Sequence, residues 1–406
     1  MRLAVATPFL DKQHGTERVL AELLERLAVN YGVDVQLYAQ RVEGVSSVSA
    51  AGSATNSSSA GIVWHKVSGI PGPHIFQFIW WYFANRGSRR RESRRGPVPD
   101  LVYSPGINAS DVDAITAHIV FHAFYEQVRQ QLRLSRNSPW RWPRVIHRVV
   151  YYHLIMALER RIYSDKKIAL SAVSQLVAQQ LQRFFGRNDV EVIRNAVDNR
   201  HFNAQVRLNR RDVARSKLGI AHRDFVFLLI GNDWKKKGLD TLLDALAQFR
   251  DLPVHLLVVG SDAQENYLKR CETLQLESRV TFLAPSADVL QFYAAADAYV
   301  GPSLEDAYGL PILESMACGL PVIASTAAGA SEIIVDGENG LLLRDPRDPG
   351  ALSQLMRRLY ESPGLARSLG QAAELAAAKE SWEAHAERTY KYFQQVLSRK
   401  SQVNAR

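Results

Sequence analysis

The chain has 406 residues, of which 47% are hydrophobic and 22% are charged. This composition is typical of a globular protein and excludes an intrinsically disordered chain, and the length predicts two domains of ordinary size. The two cysteines, Cys271 and Cys318, lie far apart and lack the spacing of metal ligands, which favours a reducing compartment.

Positive charge is concentrated in the first half of the chain. The formal net charge is +9. Residues 1–195 contain 25 Lys and Arg against 15 Asp and Glu, which leaves 25 against 26 for the remainder. Such asymmetry predicts an anionic partner for the first half alone. No run of about 18 apolar residues occurs, and the N-terminus lacks the hydrophobic region of a signal peptide. We therefore expect a cytoplasmic protein without a transmembrane helix.

The N-terminal segment predicts the opening of a doubly wound α/β sheet. Residues 2–6 form the first predicted strand, and a turn over residues 11–16 leads into an amphipathic helix over residues 17–30. A second strand is predicted over residues 33–38. The Ser-, Ala- and Gly-rich residues 44–60 predict a loose surface loop.

Two basic stretches of the first half combine arginines with aromatic or aliphatic residues. Residues 74–83 are densely aromatic and lead directly into the arginine-rich residues 86–95. Residues 139–167 predict a long helix with basic residues at both ends. Because aromatic rings beside arginines suit a membrane interface, we expect residues 74–95 and 139–167 to contact an anionic membrane surface. The alternative for the first stretch is a buried helix followed by a solvated loop. No nucleic-acid-binding motif accompanies them, and we expect no nucleic acid partner.

A lysine cluster marks the opening of the predicted second domain. We place the interdomain boundary near residue 190. The turn after the next strong apolar strand contains Lys235, Lys236 and Lys237 and ends at Gly238, before a predicted helix. Clustered lysines at a glycine-flanked strand-to-helix turn suit a diphosphate, because side-chain charge adds to the free N–H groups of the helix. The alternative is a set of solvated lysines.

Two carboxylates lie at a second strand-to-helix turn. A strand is predicted over residues 298–300 and a helix from Leu310 to Gly319. Asp306 lies in the intervening turn, and Glu314 lies one turn into the helix. Both are expected to point into one crevice beside a helix N-terminus, whose free N–H groups attract anions. The alternative is that Asp306 merely caps the helix and Glu314 is solvated.

Residues 306–324 carry a longer pattern, which reads DAYGLPILESMACGLPVIA. This run resembles the donor-site signature of the retaining glycosyltransferases of family 4, in which seven residues separate two glutamates. Here the first acid is Asp306, preceded by Glu305. In the lysine turn, Lys237 and its following glycine match the family, whereas Asn232 stands where the family usually has an arginine. This form of the turn is similar to that of the lipopolysaccharide core glucosyltransferases.

The resemblance implies a GT-B fold, in which two doubly wound, Rossmann-like domains face each other across a cleft. Residues 1–190 would bind the acceptor, residues 191–379 would bind the nucleotide-sugar donor, and residues 380–406 would form a helix that crosses back to the first domain. The implied enzyme is a retaining hexosyltransferase that moves a hexose from a nucleotide-diphosphate sugar to a glycan or glycolipid, as in lipopolysaccharide or cell-envelope polysaccharide synthesis. The donor is a co-substrate, and no metal or other cofactor is expected. The basic stretches would hold the enzyme at the inner face of the cytoplasmic membrane.

The resemblance also implies roles for the charged residues of the donor site. Glu314 would accept hydrogen bonds from the ribose hydroxyls. Asp306 would hold hydroxyls of the transferred sugar, a role that Glu305 is able to take instead. Lys237, together with Lys236, would neutralise the leaving diphosphate, whose charge grows at the transition state. The predicted catalytic set is therefore Asp306, Lys237 and Glu314.

Backbone groups and histidines complete the predicted site. By the resemblance, the N–H groups of Gly309 and Leu310 reach the phosphates or the sugar, and the Gly15 backbone approaches the donor diphosphate or the acceptor. His118 and His122, at the end of a strand predicted over residues 113–120, are the acceptor-side candidates. The alternative for each is a hydrogen-bonded structural histidine.

Two other classes of protein are compatible with parts of this pattern. A sugar-nucleotide epimerase or hydrolase shares the architecture but needs its own acid–base set, for which the sequence offers no convincing candidate. A non-catalytic carbohydrate-binding module would not need Lys237, Asp306 and Glu314 together. The Asp111-Val-Asp113 triplet has the spacing of a metal motif found in a different glycosyltransferase fold, and we interpret this short match as chance.

Overall fold

The computed structural model describes the whole chain except residues 13–14, 46–47, 51–60, 131, 134–137, 250–251 and 405–406. The chain folds into two compact units. Unit 1 consists of Met1–Arg194 and His385–Arg406, and unit 2 consists of Asn195–Ala384. These divisions lie close to residues 190 and 379, where the sequence predicts domain boundaries.

Unit 1 is built on a parallel sheet. Its strands are β1 (Arg2–Ala6), β2 (Phe9–Leu10), β3 (Asp34–Ala39), β4 (Arg41–Val42), β5 (Val48–Ala50), β6 (Ile62–Lys66), β7 (Leu101–Pro105), β8 (Ala114–Ala117), β9 (Ala169–Ala172) and β10 (Glu191–Val192). In the described residues the sheet order is β10-β9-β8-β7-β1-β3-β6-β5, while β2 and β4 form a separate pair. All of these pairings are parallel. The order runs outwards from β1 and β7, which is the doubly wound arrangement.

Helices connect the strands of unit 1. They are α1 (Gly15–Tyr31), α2 (His74–Arg95), α3 (Phe121–Val128), α4 (Trp142–Tyr163) and α5 (Gln175–Phe185). Local sequence sets their ends where caps are present. At the start of α5, the Ser174 side chain accepts a hydrogen bond from the Val177 N–H at 3.2 Å, and Gly186 ends the helix in a left-handed conformation.

Unit 2 is a second doubly wound sheet. Its strands are β11 (Phe225–Ile230), β12 (Val254–Val259), β13 (Val280–Leu283), β14 (Ala298–Gly301), β15 (Val322–Ser325) and β16 (Leu341–Leu343). Its helices are α6 (Ala204–Lys217), α7 (Leu239–Leu246), α8 (Glu265–Leu274), α9 (Leu290–Ala295), α10 (Leu310–Ala317), α11 (Pro349–Glu361) and α12 (Pro363–Ala377). The order β13-β12-β11-β14-β15-β16 is parallel throughout. The direction of winding reverses between β11 and β14, and such a switch point is where α/β sheets bind ligands.

A last helix, α13 (Trp382–Asn404), contributes to the core of unit 1 from His385 onwards. The ring of Phe393 packs edge-on against Tyr103 with 5.1 Å between centroids, and Tyr390 stacks on Tyr31 at 4.4 Å. These contacts bury apolar surface that a 22-residue tail would otherwise leave in water.

The predicted α/β class with two Rossmann-like sheets is confirmed, and several predicted elements change. The predicted loop over residues 44–60 contains strand β5, and its residues 46–47 and 51–60 lie outside the described residues. Helix α1 begins at Gly15 rather than at residue 17, so Gly15 is helical. His14, in the same predicted turn, also lies outside the described residues.

The segment over residues 74–95 forms one helix, so the predicted alternative of a helix followed by a solvated loop is wrong. Three buried residues at four-residue spacing explain this, because they lie on one face of α2. The Trp81 indole N–H and the Asn85 amide donate to the carbonyl of Asn108, and Arg89 pairs with the carboxylate of Asp111. The helix therefore continues through the arginine run. No helix within the described ranges combines the length and apolar character needed to span a membrane.

Candidate functional site

The predicted donor-site charges meet at the switch point of unit 2. The loop after β11 carries Lys237, and the loop after the neighbouring strand β14 carries Asp306. The Lys237 ammonium forms an ion pair with the Asp306 carboxylate, and the two side chains are 18% and 17% exposed. A strong positive and a strong negative group thus lie together, partly shielded from water, at the edge of the sheet where ligands bind.

Two glycines make this placement of Lys237 possible. A Cβ on Gly231 would lie 2.7 Å from the Lys237 Cε, and a Cβ on Gly238 would lie 2.0 Å from the Pro302 carbonyl oxygen. Both glycines also have positive φ, at 141° and 76°. Any other residue at Gly238 would therefore meet rigid backbone in a conformation that L-residues disfavour.

Asp306 is held by backbone bonds on both sides. Its N–H donates to Ala327 at 3.0 Å, its carbonyl accepts from the Gly329 N–H at 3.0 Å, and its Oδ1 accepts from the Tyr308 N–H at 3.3 Å. The N-cap residue of α10 is Gly309, and no side-chain capping hydrogen bond is present there. The alternative in which Asp306 merely caps the helix is therefore wrong.

Glu314 lies inside the unit and not in solvent, so the alternative of a solvated carboxylate is wrong. Glu314 is 4% exposed, and its Oε2 accepts a hydrogen bond from the Tyr293 hydroxyl at 2.6 Å. Tyr293 lies on α9 and is fully buried. Burial, with the adjacent Glu314, raises the pKa of Tyr293 well above its usual range, so the phenol keeps the proton that it donates.

Tyr293 is the site residue that sequence reasoning missed. It stands in an apolar run of residues 292–296, Phe-Tyr-Ala-Ala-Ala, which reads as a core helix. The pairing of Tyr293 with the buried Glu314 depends on packing between α9 and α10, and no local sequence motif predicts it.

The other two lysines of the turn differ from Lys237. The Nζ of Lys236 lies 3.6 Å from the Asp233 carboxylate, and the Lys236 carbonyl accepts from the Leu304 N–H at 2.7 Å, which joins the loops after β11 and β14. Lys235 is exposed. Lys236 therefore borders the site through its backbone, and Lys237 is the lysine whose charge lies within it.

Asn232 takes a structural role in place of the arginine expected from the resemblance. Its Oδ1 accepts hydrogen bonds from the N–H and hydroxyl of Ser261, both at 3.0 Å, and so ties the loop after β11 to the loop after β12. Asp262 strengthens the same link by accepting from the Asp233 and Trp234 N–H groups. The position supplies no positive charge, and Lys237 is the residue of this loop whose ammonium pairs with Asp306.

The predicted backbone donors lie at the start of α10. Gly309 has a φ of 90°, and the helix begins at Leu310. The first N–H groups of an α-helix have no partner within the helix, so the Leu310 N–H is available to an anion beside Asp306. Binding of a ligand by Gly309 and Leu310 stays a prediction, as does the approach of Gly15 to a ligand. Gly15 lies exposed at the first position of α1 in unit 1.

The acceptor-side candidates lie in unit 1 and differ from each other. β8 ends at Ala117, so His118 lies beyond the strand rather than in it, and His122 lies in the first turn of α3. His122 Nδ1 lies 2.7 Å from an oxygen of the buried Glu159, which also accepts from two backbone N–H groups at the start of α3. This bonding is that of a structural histidine. Burial lowers the pKa of His118 to about 4, and His385 acts in the same direction, so His118 is uncharged at neutral pH.

The Asp111-Val-Asp113 triplet has partners of its own. Asp111 pairs with Arg89, and Asp113 accepts from the Val102 N–H at 2.8 Å and from the Lys400 ammonium at 2.9 Å. In the part of the chain that the structure describes, no group of three or more His, Cys, Asp or Glu side chains is arranged to hold a metal ion. Both aspartates therefore stabilise unit 1.

Comparison with known families finds a match within unit 2. The family described as "Glycosyl transferases group 1" matches residues 210–376, which include Lys237, Asp306 and Glu314. The resemblance to glycosyltransferases is confirmed. The lipopolysaccharide glucosyltransferase WaaG of Escherichia coli is 32% identical over 159 residues, which are 38% of this chain and 42% of that protein. A D-inositol 3-phosphate glycosyltransferase of Corynebacterium jeikeium is 35% identical over 195 residues, covering 45% and 46%. The chain thus spans about half the length of the curated relatives it matches.

Solved structures extend the likeness of fold to almost the whole chain. A crystal structure of WaaG, a glycosyltransferase involved in lipopolysaccharide biosynthesis, has a TM-score of 0.72 at 20% identity and covers 95% of this chain and 98% of its own. Anabaena Alr3699/HepE in complex with UDP-glucose has a TM-score of 0.67 at 20% identity, covering 97% and 100%. These neighbours are GT-B glycosyltransferases, and the predicted fold class is confirmed.

Proposed function

We propose that this protein is a retaining, metal-independent hexosyltransferase that uses a nucleotide-diphosphate sugar as donor and a glycan or glycolipid as acceptor. The observation that carries the proposal is the partly buried pair of Lys237 and Asp306 at the switch point of unit 2. It lies in the segment that matches the group 1 glycosyl transferases, beside the start of α10 and the buried Glu314. A sugar diphosphate offers an anion for the lysine and hydroxyl donors for the carboxylates.

Donor binding in this proposal replaces the Lys237–Asp306 ion pair by two contacts with the donor. Without ligand, Lys237 and Asp306 satisfy each other. With donor bound, the diphosphate takes the Lys237 ammonium, and the hydroxyls of the hexose donate to Asp306 or to the neighbouring Glu305. Negative charge grows on the diphosphate as the glycosidic bond breaks, so Lys237 stabilises the transition state more than the ground state. Such a fixed cation supplies the charge that a metal ion supplies elsewhere.

Glu314 holds the nucleoside end of the donor. One carboxylate oxygen accepts from Tyr293, and Glu314 accepts the ribose hydroxyls. The hydrogen bond from Tyr293 fixes the carboxylate, because a buried group with a short bond to a rigid ring has few rotamers open to it. The same-face attack implied by the family resemblance then needs no protein nucleophile, and the diphosphate oxygen accepts the acceptor proton.

The relatives support the choice of ligands. HepE is solved with UDP-glucose, and the Escherichia coli relative is named for lipopolysaccharide. We propose a uridine-type donor as the first to test and an envelope glycolipid as the acceptor class.

The acceptor class agrees with an apolar surface on unit 1. Helix α2 leaves Phe76 and Phe83 57% and 66% exposed, and α4 exposes Trp142, Ile146 and Val150 at four-residue spacing. The two helices touch, since the ring centroids of His74 and Tyr151 lie 4.9 Å apart. Two exposed apolar stripes on adjacent helices, flanked by arginines, suit the interface of an anionic membrane, at the inner face of the cytoplasmic membrane.

Vesicle sedimentation tests this surface. We compare the variant Phe76→Ser/Phe83→Ser with the control Val29→Ser/Leu375→Ser, whose apolar side chains are still more exposed, at 70% and 72%, but lie elsewhere. With vesicles that contain an anionic phospholipid, the first variant is expected to bind several-fold more weakly than the control. Equal binding of the two variants would remove the membrane proposal. Arg89 is unsuited to such a test because it is buried and paired with Asp111.

Release of nucleoside diphosphate from a panel of donors tests the activity. Release that requires an acceptor sugar supports a transferase, whereas equal release without acceptor indicates a hydrolase, and no release with any donor indicates a binding module. NMR of the product anomer checks retention, and an unchanged rate with EDTA checks independence from metal. A rate that falls with EDTA and returns with a divalent cation would contradict the metal-free mechanism.

A further inference from the structure

Unit 1 contains a cavity on the side of its sheet away from the carboxyl ends of the strands. The cavity has a volume of about 650 Å³ and is lined by segments just before β7, β8 and β9 and by the C-terminal half of α2. Because the sheet is parallel, these segments lie at its amino edge, whereas α/β sheets bind their usual ligands at the other edge. A second cavity of about 750 Å³ shares Asp113, Asp165, Lys167 and Lys400 with it, so the two form one groove. We call this the amino-edge groove.

The four acidic residues of the groove already have partners, and one of them, Asp189 of the second cavity, pairs with Arg187 at 2.7 Å. Asp111 binds the buried Arg89, Asp113 binds Lys400 at 2.9 Å, and the Oδ1 of Asp165 accepts from the Lys167 N–H at 2.9 Å. These bonds fix the walls and reduce the negative field inside the groove.

Three of its cations, in contrast, have no partner among the described residues. Arg90 and Arg94 are one turn apart on α2 and exposed, and Lys167 is exposed on the loop before β9. No carboxylate pairs with any of these three side chains within the part of the chain that is described. Three unpaired positive groups from two separate segments thus line one cavity, which is of the size that holds a small ligand.

We propose that the amino-edge groove binds a phosphate-bearing group, held by Arg90, Arg94 and Lys167. Guanidinium groups bind phosphate oxygens through two parallel N–H bonds, and lysine adds a point charge. Arg89, Asp111 and Lys400 provide the fixed wall. The groove lies in unit 1, whereas the candidate donor site lies in unit 2, and the groove does not depend on the proposed transferase activity. The phosphate belongs either to a lipid headgroup or to a soluble phosphorylated compound.

Calorimetric titration of the full chain with inorganic pyrophosphate tests the site. The test variant is Arg90→Ser/Arg94→Ser/Lys167→Ser, and the control is Lys217→Ser/Lys269→Ser/Arg347→Ser, which removes the same charge from exposed positions outside the groove. Both are made on a Lys237→Ala background, so that the donor site contributes little. We expect the test variant to bind pyrophosphate about tenfold more weakly than the control. Equal affinity of the two variants overturns the proposal, and circular dichroism checks that both fold.

Vesicles distinguish the two sources of phosphate. With anionic phospholipid vesicles, weaker sedimentation of the test variant than of the control assigns the groove to a headgroup. Equal sedimentation together with lost pyrophosphate affinity assigns it to a soluble phosphorylated ligand. Failure of the donor panel leaves both measurements unchanged, so the two proposals are tested separately.

Discussion

Each unit holds a carboxylate against a loop that follows a strand, and the two carboxylates have opposite kinds of partner. In unit 2, Asp306 follows β14 and pairs with the ammonium of Lys237 on another loop. In unit 1, Glu159 of α4 is completely buried, lies 2.7 Å from His122 Nδ1 and accepts hydrogen bonds from the N–H groups at the start of α3, which follows β8. The first carboxylate faces a cation, which the donor displaces in the proposed function, and the second faces groups that belong to the fold.

The pKa shifts in unit 1 agree with this difference. Burial raises the pKa of Glu159 to about 8, although the Phe121 and His122 N–H groups oppose the shift. Burial also lowers the pKa of His122, with Arg160 acting in the same direction. Both pKa shifts favour the uncharged forms of Glu159 and His122. The loop and helix that follow a strand thus hold the buried carboxylate of another helix in unit 1, and the loop that follows a strand carries one member of a charged pair in unit 2.

The largest expected effect tests the cation of unit 2. We expect Lys237→Ala to lower kcat about 1000-fold while KM changes little, because the lysine acts on charge that develops at the transition state. Steady-state release of nucleoside diphosphate measures both constants. Lys235→Ala is the matched control and is expected to behave as wild type, since that side chain is exposed. Equal losses of kcat in the two variants would mean that the total positive charge of the turn, and not the Lys237 ammonium in particular, stabilises the transition state.

The second prediction decides which acid holds the sugar. We expect Asp306→Asn to lower kcat/KM about 100-fold, because the neutral amide loses the ion pair and binds sugar hydroxyls less strongly. Glu305→Gln is expected to change it less than threefold. The same assay measures both, and the reverse order of effects would assign the sugar to Glu305.

A smaller effect is expected where one carboxylate of unit 2 is positioned by a neighbour. Tyr293→Phe removes the hydroxyl that donates to Glu314. We expect the KM for the donor to rise about tenfold with kcat little changed, and the free energy of unfolding to fall by about 1–3 kcal/mol. Donor kinetics and urea unfolding measure the two effects. A loss of stability with an unchanged KM would show that Tyr293 serves only the core.

The smallest effect concerns the pH dependence of unit 1. Between about pH 6.5 and 8 the folded chain keeps the Glu159 proton that the unfolded chain has released, so this group makes the free energy of unfolding fall as pH rises. The slope is at most about 1.4 kcal/mol per pH unit. His122 acts in the opposite direction near pH 6.5, because its lowered pKa makes the folded chain bind fewer protons there than the unfolded chain.

Urea unfolding of wild type and Glu159→Gln across this window measures the slope. The variant is expected to give a flatter dependence on pH, since glutamine has no proton to release. Glu126→Gln, which removes an exposed carboxylate, is the control. Parallel curves for wild type and Glu159→Gln would contradict a raised pKa in the folded state.

Much of the fold follows from local patterns. Apolar strands, amphipathic helices and glycine turns predict the order of elements in both units, because period and turn chemistry act over a few residues. The same holds for the donor loops, where Lys237, Gly309 and Glu314 lie in short motifs. The full length of helix α2 is harder to predict from local sequence, since it depends on the hydrogen bonds that Trp81, Asn85 and Arg89 make with a distant loop.

The sequence by itself determined two α/β domains and the set of charged residues at the predicted donor site. Only the tertiary structure decided how those residues are paired. Lys237 and Asp306 lie 69 positions apart, and Tyr293 and Glu314 lie 21 apart. Their meeting depends on which strands are neighbours and on how α9 packs beside α10. Local sequence determines local conformation. The partner of a buried charge depends on long-range packing, because packing excludes water and a protein group must then replace the hydrogen bonds that water made.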